Sequence, residues 1–230
     1  MKFGIVGDGR MARAIAAEAS AAGDHVAALL GAEENVDAAA ITAERFAACD
    51  VVFEFTLPSA APTNLRALHA IGATVVCGTT GWDQERDTVE SLWREGRGAV
   101  LVASNFALGV QLFLRAAAAL ASAAAQRPEF DGFLHERHHA AKVDAPSGTG
   151  LRLQDVVRRA DPSRVWPITS VRAGSIPGDH EMVLDGPFES LTLRHSARDR
   201  RVFAAGALTA ARWLAGRRGV FTLDAMFAGD

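Results

Sequence analysis

The amino-acid sequence predicts an α/β protein with a doubly wound parallel sheet, followed by a second α+β domain with an open mixed sheet. Three observations support this prediction. Short, almost entirely apolar segments alternate with helical patterns over the first hundred residues. A glycine turn follows the first of these segments. After a helical stretch that begins near Leu108, the segments between Phe130 and His195 alternate apolar with polar residues, as strands do when one face is exposed.

The first domain is predicted to contain five short strands with helices between them. Strands that are apolar on both faces must be covered on both faces, and a parallel sheet between two helical layers achieves this. The helical pattern Met11–Ala22 ends at Gly23, a residue that suits the end of a helix. The predicted strands are Lys2–Val6, His25–Leu30, Asp50–Phe55, Ala73–Cys77 and Val100–Ala103.

The second domain is predicted to begin with a helix near Leu108 and to contain a further helix over Leu151–Arg159. After it come an amphipathic helix, Phe203–Leu214, and a last strand or extended tail, Val220–Met226. The predicted domains are 1–106 with 202–230, and 107–201. The predicted strands of the second domain are Phe130–Glu136, Ile168–Arg172, Glu181–Leu184 and Glu189–His195.

Composition excludes several classes of function. A net charge of −3 with scattered arginines argues against a nucleic-acid partner. The N-terminus lacks the apolar region of a signal peptide, and the apolar stretch Phe106–Ala125 contains Gln111 and Arg115, which indicates a buried helix instead of a membrane span. We therefore expect a cytoplasmic protein with no membrane partner. Cys49 and Cys77 adjoin predicted strands and are expected to act as small apolar side chains.

The glycine turn follows the first strand. Gly7, Gly9 and Ala12 have the G-x-G-x-x-G/A spacing of Rossmann-type dinucleotide-binding proteins. That spacing allows a tight turn, a close approach of the backbone to a pyrophosphate, and close packing of helix on strand. A pyrophosphate would lie at the helix N-terminus, where free N–H groups favour an anion. A bare turn without a ligand is the alternative, but the order of strand, motif and helix favours dinucleotide binding.

The choice between NADH and NADPH stays open at this stage. The second strand of such proteins usually ends in an acidic residue for the ribose hydroxyls, or has an arginine nearby for a 2′-phosphate. Leu30 and Gly31 stand there in this chain. Glu33 and Glu34 follow and could reach the ribose, although solvated charges are an equally good interpretation.

The segment Leu134–Gly150 concentrates reactive side chains, with His135, His138, His139, Lys142 and Asp144 close together. Of the 24 lysines and arginines, only Lys2 and Lys142 are lysines. A desolvated ammonium group can lower its pKa and give up a proton, whereas a guanidinium cannot. Lys142 is therefore a candidate general acid, with a merely solvated lysine as the alternative.

The same segment contains H-E-x-x-H, formed by His135, Glu136 and His139, which is a zinc-protease pattern when it lies on a helix. The preceding residues alternate as a strand does, and a proline follows soon after. A zinc site is therefore disfavoured, and no metal is expected.

The turn before the helix Leu151–Arg159 is a candidate anion site. Ser147, Gly148 and Thr149 lie where the free N–H groups of a helix N-terminus point outward, and a carboxylate suits that position. Ordinary capping by Ser147 or Thr149 is the alternative, and one residue can do both.

Four segments together resemble the dihydrodipicolinate reductase family, in the same order and at similar separations across nearly the whole chain. They are HHAAKVDAPSGTG, GTTGW at Gly78–Trp82, VASNFALGV at Val102–Val110 and RAGSIPGDH at Arg172–His180. The resemblance implies reduction of 4-hydroxy-tetrahydrodipicolinate to tetrahydrodipicolinate with loss of water, in diaminopimelate and lysine biosynthesis. It also implies a homotetramer formed through the second domain's sheet, and return of the C-terminal stretch to the first domain.

The resemblance further implies roles for individual residues. His138 shuttles a proton, Lys142 donates one, and His139 joins the Ser147–Thr149 turn in holding substrate carboxylates. The cofactor, NADH or NADPH, is assigned to the glycine turn, to the segments after the fourth and fifth strands, and to a late arginine. The residues concerned are Gly7, Asp8, Gly9, Arg10, Met11, Gly78, Thr79, Thr80, Ala103, Ser104, Asn105, Phe106 and Arg200.

Three features depart from the family pattern. The glycine turn is shorter than the common G-x-x-G-R-M-G form, the second strand lacks its terminal acidic residue, and the chain is short. The competing functions are a dehydrogenase of another small substrate, a zinc hydrolase and a non-catalytic dinucleotide sensor. The concentration of histidine and lysine after Leu134 argues against the sensor.

Overall fold

Short segments of valine, isoleucine and phenylalanine form a parallel sheet whose central strands are buried on both faces. In the computed structural model, which describes residues 1–228, the chain divides into two units. The first comprises Met1–Phe106 together with the chain from Arg201, and the second comprises Ala107–Arg200. Residues 229 and 230 of the predicted first domain lie outside the described residues.

The first unit contains a six-stranded sheet in the order β10-β5-β4-β3-β1-β2, with every neighbouring pair parallel. After β1 the chain continues to β2 on one side and then to β3 on the other. A crevice at the carboxyl ends of β1 and β3 is therefore where an open sheet binds a ligand. The strands are β1 Lys2–Val6, β2 His25–Leu30, β3 Val51–Glu54, β4 Val75–Cys77, β5 Ala99–Val102 and β10 Gly219–Phe221.

Helices cover this sheet, and their small residues allow close packing. Ala204, Ala207, Ala210 and Ala211 are buried on the last helix, which packs against the first helix of the unit. Small side chains let two helix backbones approach each other closely, which explains the alanine-rich composition. The helices are α1 Arg10–Ala21, α2 Ala43–Phe46, α3 Ala61–Ala70, α4 Asp83–Glu95 and α7 Arg201–Leu214.

The second unit contains a four-stranded mixed sheet in the order β7-β6-β8-β9. Only the β6–β7 pair is parallel. Helices α5 Leu108–Ala124 and α6 Gly148–Ala160 pack against each other, α5 contacts β9 and α6 contacts β6. The strands are β6 Asp131–His138, β7 Ile168–Arg172, β8 Asp179–Asp185 and β9 Ser190–Ser196. The predicted fold class is confirmed.

Most element boundaries differ from the prediction by one or a few residues, and three of these differences are informative. Strand β6 continues two residues past Glu136, because the residues up to His138 still pair with β7. Helix α6 begins at Gly148 instead of Leu151, because Ser147 caps its first turn. The last strand ends at Phe221, and a 3₁₀ turn over Leu223–Phe227 replaces its predicted continuation. Within residues 1–228, no helix has both the length and the apolar character that a membrane crossing requires.

Candidate active site

A cavity of about 290 Å³ opens at the carboxyl ends of the first unit's central strands. It is lined by residues that directly follow β1, β2 and β3, together with residues of α3 and the segment before it. Three of the predicted cofactor residues, Gly7, Asp8 and Gly9, belong to this lining. The cavity therefore lies at the crevice that the strand order creates.

Glycine is required at two positions around this cavity because backbone and side chains approach closely. Gly7 has φ +122°, and a Cβ there would lie 2.2 Å from the carbonyl oxygen of Phe55. A Cβ on Gly78 would lie 2.1 Å from the Phe55 ring. The segments after β1, β3 and β4 are thus packed against one another.

The N-terminus of α1 fits a pyrophosphate. Gly9 is its N-cap, makes no side-chain cap, and has open space where a Cβ would stand. No acidic residue occupies the first turn, which contains Arg10 and Met11. The first N–H groups of a helix lack partners within it, so these are available to an anion that approaches over Gly9.

Glu54 links Thr56, which lines the cavity, to Thr79 of the GTT segment. Its carboxylate is fully buried and accepts hydrogen bonds from the Thr56 hydroxyl, from Thr79 Oγ1 at 2.6 Å and from Asn64 Nδ2 at 3.3 Å. Thr79 Oγ1 also accepts from the Thr56 N–H at 2.8 Å. Burial and the neighbouring Glu54 carboxylate raise the pKa of the Cys77 thiol well above its ordinary value, so Cys77 stays protonated. Because its hydroxyl bonds both Glu54 and the Thr56 N–H, the Thr79 side chain holds the GTT turn in place.

The remaining predicted cofactor residues are not among those that line the cavity. Ala103 follows β5, and its N–H donates to the Cys77 carbonyl at 3.1 Å. Phe106 is buried, and its ring lies 5.7 Å from that of Phe55. Ser104 and Thr80 are exposed. Arg200 precedes α7 and is not among the residues that line the cavity.

In the second unit, a buried carboxylate organises the segment rich in histidine. Glu136 is 1% exposed, and its Oε1 accepts from the Ser147 N–H at 2.9 Å, from Ser170 Oγ at 2.8 Å and from Arg172 Nη2 at 2.7 Å. Its Oε2 accepts from the Ser147 hydroxyl and lies 3.6 Å from His180 Nε2. Burial alone would raise the pKa of Glu136, but the hydrogen bonds from His180, Ser147 and Arg172 outweigh it and hold that pKa below its ordinary value.

His138 is the last residue of β6 and lies beside this carboxylate. Its ring is buried, meets the His180 ring edge-on at 5.1 Å, and places Nδ1 3.8 Å from Glu136 Oε2. Burial lowers the pKa of His138 to about 4; Glu136 opposes this shift, while the charges of His180, Lys142 and Arg172 reinforce it. His138 is therefore neutral at pH 7 and can accept a proton.

Lys142 lies in the loop after β6, where its ammonium group contacts Asp144 Oδ1 at 2.6 Å. That hydrogen bond lowers the pKa of Asp144, which is therefore ionised at neutral pH. The Lys142 side chain is partly exposed. The Asp144 carboxylate holds the Lys142 ammonium in one direction, and a general acid held in this way can donate a proton to a bound molecule.

The turn at Ser147 forms the start of α6. Ser147 is buried, and its Oγ accepts from the Gly150 N–H at 3.0 Å. The next residue, Gly148, is exposed, and a Cβ there would meet nothing within 4 Å. Ser147 therefore faces inward to Glu136, while the Gly148 N–H donates a hydrogen bond to the Asp144 carboxylate. His139 directly follows β6 and is half-buried.

The zinc-protease alternative lacks the helix that it requires. His135 and Glu136 lie on strand β6, where successive side chains point to opposite faces of the sheet. Glu136, His138 and His180 do bring ligand atoms within 4.8 Å of one another. Arg172 and two serines already neutralise and bind the carboxylate, so these residues form a hydrogen-bonded network that needs no metal charge.

Sequence reasoning missed the network around Glu136, to which His180, Ser170 and Arg172 contribute. It considered Glu136 only as part of the zinc pattern. The available signal was the alternation of β6, which places Glu136 on the same face as the apolar Leu134 and so predicts a buried charge. The partners could not be found this way, because they come from β7 and β8.

Comparisons with known proteins agree over the whole chain. Residues 1–106 match the family model described as dihydrodipicolinate reductase, N-terminus, and residues 109–227 match the model of its C-terminus. A 4-hydroxy-tetrahydrodipicolinate reductase of Natronomonas pharaonis is 39% identical over 241 aligned positions, which cover 94% of this chain and 96% of the relative. The enzyme of the same description from Gluconobacter oxydans is 40% identical over 193 positions, covering 76% of each chain.

A solved structure supports the fold. The dipicolinate-bound dihydrodipicolinate reductase from Paenisporosarcina sp. TG-14 superposes with a TM-score of 0.75 over 96% of this chain and 97% of the other, at 20% identity. The predicted family and reaction are confirmed, and nothing in the comparisons favours a zinc hydrolase or a sensor. This chain belongs to the dihydrodipicolinate reductase family, whose NADH- or NADPH-dependent reaction converts 4-hydroxy-tetrahydrodipicolinate to tetrahydrodipicolinate in diaminopimelate and lysine biosynthesis.

Proposed function

We propose that the two domains divide the reaction between them, with 1–106 and 202–230 holding the dinucleotide and 107–201 binding the dicarboxylate substrate. The neutral, buried His138 beside Glu136 and near the Lys142–Asp144 pair carries this proposal. NADH or NADPH, when bound, supplies the hydride. The residues of the second domain then supply the proton and bind the substrate's charges.

Lys142 is the proposed proton donor. When hydride arrives at one carbon of the conjugated imine, electrons move onto the ring, and an acid must protonate the far end. Lys142 carries a proton and is oriented by Asp144. His138, neutral at pH 7, is suited to receive and pass on a proton. Glu136 is a positioning residue here, because it fixes the surroundings of His138 without facing solvent.

The substrate's carboxylates are assigned to His139 and to the turn Ser147, Gly148 and Thr149. The start of α6 supplies a favourable helix dipole, and the Gly148 N–H, which donates to Asp144 in the structure, becomes available to a substrate carboxylate that displaces Asp144. Ser147 contributes by tying this turn to Glu136 through both its N–H and its hydroxyl. This rigid attachment keeps the backbone donors in place before the substrate arrives.

The cofactor is assigned to the cavity of the first unit and to the strand ends beside it. The pyrophosphate is placed at Gly7–Met11, over the start of α1. Gly78, Thr80 and the segment Ala103–Phe106 are assigned to the nicotinamide half, with Thr79 supporting them through Glu54. Arg200 is retained as a cofactor contact on the family resemblance alone.

A cytoplasmic homotetramer is the proposed state of the protein. The face of the second sheet that is turned away from Glu136 exposes Phe133 and Val171, each 41% accessible. The same face carries a ladder of alternating charge, in which Arg137 and Arg194 contact Asp179 and Glu181. Apolar side chains among charges of both signs suit pairing with a second copy of the same face.

The reaction is tested by following the loss of reduced-nicotinamide absorbance with substrate made freshly by the preceding synthase. We expect turnover with both NADH and NADPH, because no arginine directly follows β2 to take a 2′-phosphate. A preference for NADPH above about a hundredfold, roughly 2.7 kcal/mol, would contradict this expectation. Failure of both cofactors with fresh substrate would contradict the proposed division of roles.

A further inference from the structure

The carboxylate of Asp8, which lies in the turn after β1, occupies the space beside the end of β2. Gly31 directly follows β2, at the position where dinucleotide-binding proteins usually place an acidic residue for the ribose. A Cβ on Gly31 would lie 3.0 Å from Asp8 Oδ2 and 3.6 Å from Asp8 Cγ. The carboxylate of Asp8 therefore occupies the space into which a side chain at position 31 would project.

Asp8 also lies in the right place to meet a dinucleotide. It stands between Gly7 and Gly9 in the glycine turn, and both Asp8 and Gly31 line the cavity of about 290 Å³. The Asp8 carbonyl oxygen accepts from Arg13 Nε at 2.9 Å, which fixes the turn's backbone. Asp8 is also exposed.

We infer that Asp8 takes over the role of the missing acidic residue after β2, binding the hydroxyls of the adenosine ribose and favouring NADH over NADPH. This inference rests on the proposed cofactor site. Two vicinal hydroxyls can both donate to one carboxylate, and charge-assisted hydrogen bonds of this kind are strong. A 2′-phosphate in the same place would bring two like charges together, which selects against NADPH.

The other charged groups near β2 do not offset this selection. Arg45 Nη2 donates to the Leu29 carbonyl at 3.2 Å, but the same nitrogen is paired with Glu34 at 2.9 Å. Glu33 and Glu34 are exposed and are absent from the cavity lining. Glu33 and Glu34, which the sequence suggested as ligands of the ribose, are therefore less well placed than Asp8.

The test measures equilibrium binding of NADH and of NADPH by fluorescence titration, without substrate, so that no turnover is needed. Wild type should bind NADH at least about tenfold more tightly than NADPH, which corresponds to about 1.4 kcal/mol. Asp8→Asn should weaken NADH binding and bring the ratio of the two dissociation constants close to one. Raising the ionic strength should reduce the wild-type ratio and leave that of Asp8→Asn unchanged, because the repulsion is between exposed charges.

A relocated carboxylate provides the sharper test. In Asp8→Ala the Oδ2 and Cγ atoms near position 31 are gone, and Asp8 Cβ would lie at an ordinary 3.7 Å from a Cβ on residue 31. Gly31 does not have a positive φ, so a side chain there is unstrained. The double variant Asp8→Ala/Gly31→Asp should recover the preference for NADH. The matched variant Asp8→Ala/Gly31→Ala should not, because it restores bulk without charge, and Glu33→Gln should behave as wild type.

The outcomes separate this inference from the proposed cofactor site. If wild type binds neither dinucleotide, the cofactor site is wrong and the inference falls with it. If wild type binds both and the ratio is the same in wild type and Asp8→Asn, the site stands and the role of Asp8 is overturned. If Glu33→Gln abolishes the preference while Asp8→Asn keeps it, the ribose contact belongs to Glu33.

Discussion

Lys142 and Asp144 form an ion pair at 2.6 Å in the loop after β6. An arginine at position 142 could keep that pair but could not release a proton under working conditions. We therefore expect Lys142→Arg and Lys142→Ala both to lower turnover by about 10² to 10⁴-fold, as loss of a general acid does. The measurement is steady-state kinetics with NADH, together with a fluorescence titration of NADH.

The NADH titration serves as the control, because proton donation does not contribute to cofactor binding. NADH affinity should hardly change in either Lys142 variant. Near-normal turnover in Lys142→Arg would show that the residue supplies only a positive charge. The proton would then have to come from His138 or from a bound water molecule.

His138 makes stability depend on pH in a defined window. Its pKa falls from an ordinary 6.5 to about 4 in the folded protein, so the unfolded chain binds more protons between these two values. Stability is therefore complete above about pH 6.5 and is lost as the pH falls toward 4. For this single group we expect a loss of about 2 kcal/mol between pH 7 and pH 5.

Urea unfolding at pH 7, 6 and 5 measures this loss, with His138→Asn as the comparison. Burial also lowers the pKa of His195, so part of the slope should persist in the variant. Glu136 contributes only below its ordinary pKa of 4.5, because its folded pKa is lowered from that value. An unchanged slope in His138→Asn would show that His138 is not the titrating group.

At the scale of elements, the Glu136 carboxylate holds the junction of β6 and α6, and the Gly148 N–H at the start of α6 donates to Asp144. Thr149→Val removes a hydroxyl but leaves the backbone donors, so it should weaken substrate binding by about 0.5 to 3 kcal/mol. Gly148→Val should do more harm, because a branched side chain would crowd an approaching carboxylate. The open space at Gly148 and the absence of a positive φ indicate that this variant still folds.

The binding measurement uses pyridine-2,6-dicarboxylate as a flat mimic of the substrate's two carboxylates, with NADH titrated in parallel. Both variants should bind NADH as wild type does, while their affinity for the dicarboxylate falls. If folded Gly148→Val binds the dicarboxylate with unchanged affinity, the anion site lies elsewhere in the molecule.

At the scale of the whole molecule, the exposed face of the second sheet determines assembly in our proposal. Light scattering coupled to gel filtration should give about four times the chain mass of 24.3 kDa. Phe133→Asp should reduce that mass, because Phe133 is an exposed apolar side chain on this face. Phe188→Asp is the matched control, since Phe188 is fully exposed but lies between β8 and β9. A tetramer that resists Phe133→Asp would exclude this face as the interface.

Local patterns predicted most of the fold and located the two candidate sites. The glycine turn at Gly7, the apolar strands and the helix after Ser147 each depend on residues close in sequence, so they can be recognised from spacing. The residue at which β6 ends could not be predicted, because it depends on pairing with β7. The roles of Lys142, His138 and Gly148 stay predictions until the variants above are measured.

The sequence by itself determined the fold class, the order of strands and helices, and the family, because these follow from periodicity and from motifs of contiguous residues. Tertiary structure alone decided which distant side chains share a site. Glu136 meets Ser170, Arg172 and His180 only because three strands align in register. Asp8 reaches the space beside Gly31 only because β1 and β2 are parallel neighbours whose carboxyl ends meet at one edge of the sheet. Such contacts depend on the register between strands, and no pattern of neighbouring residues records that register.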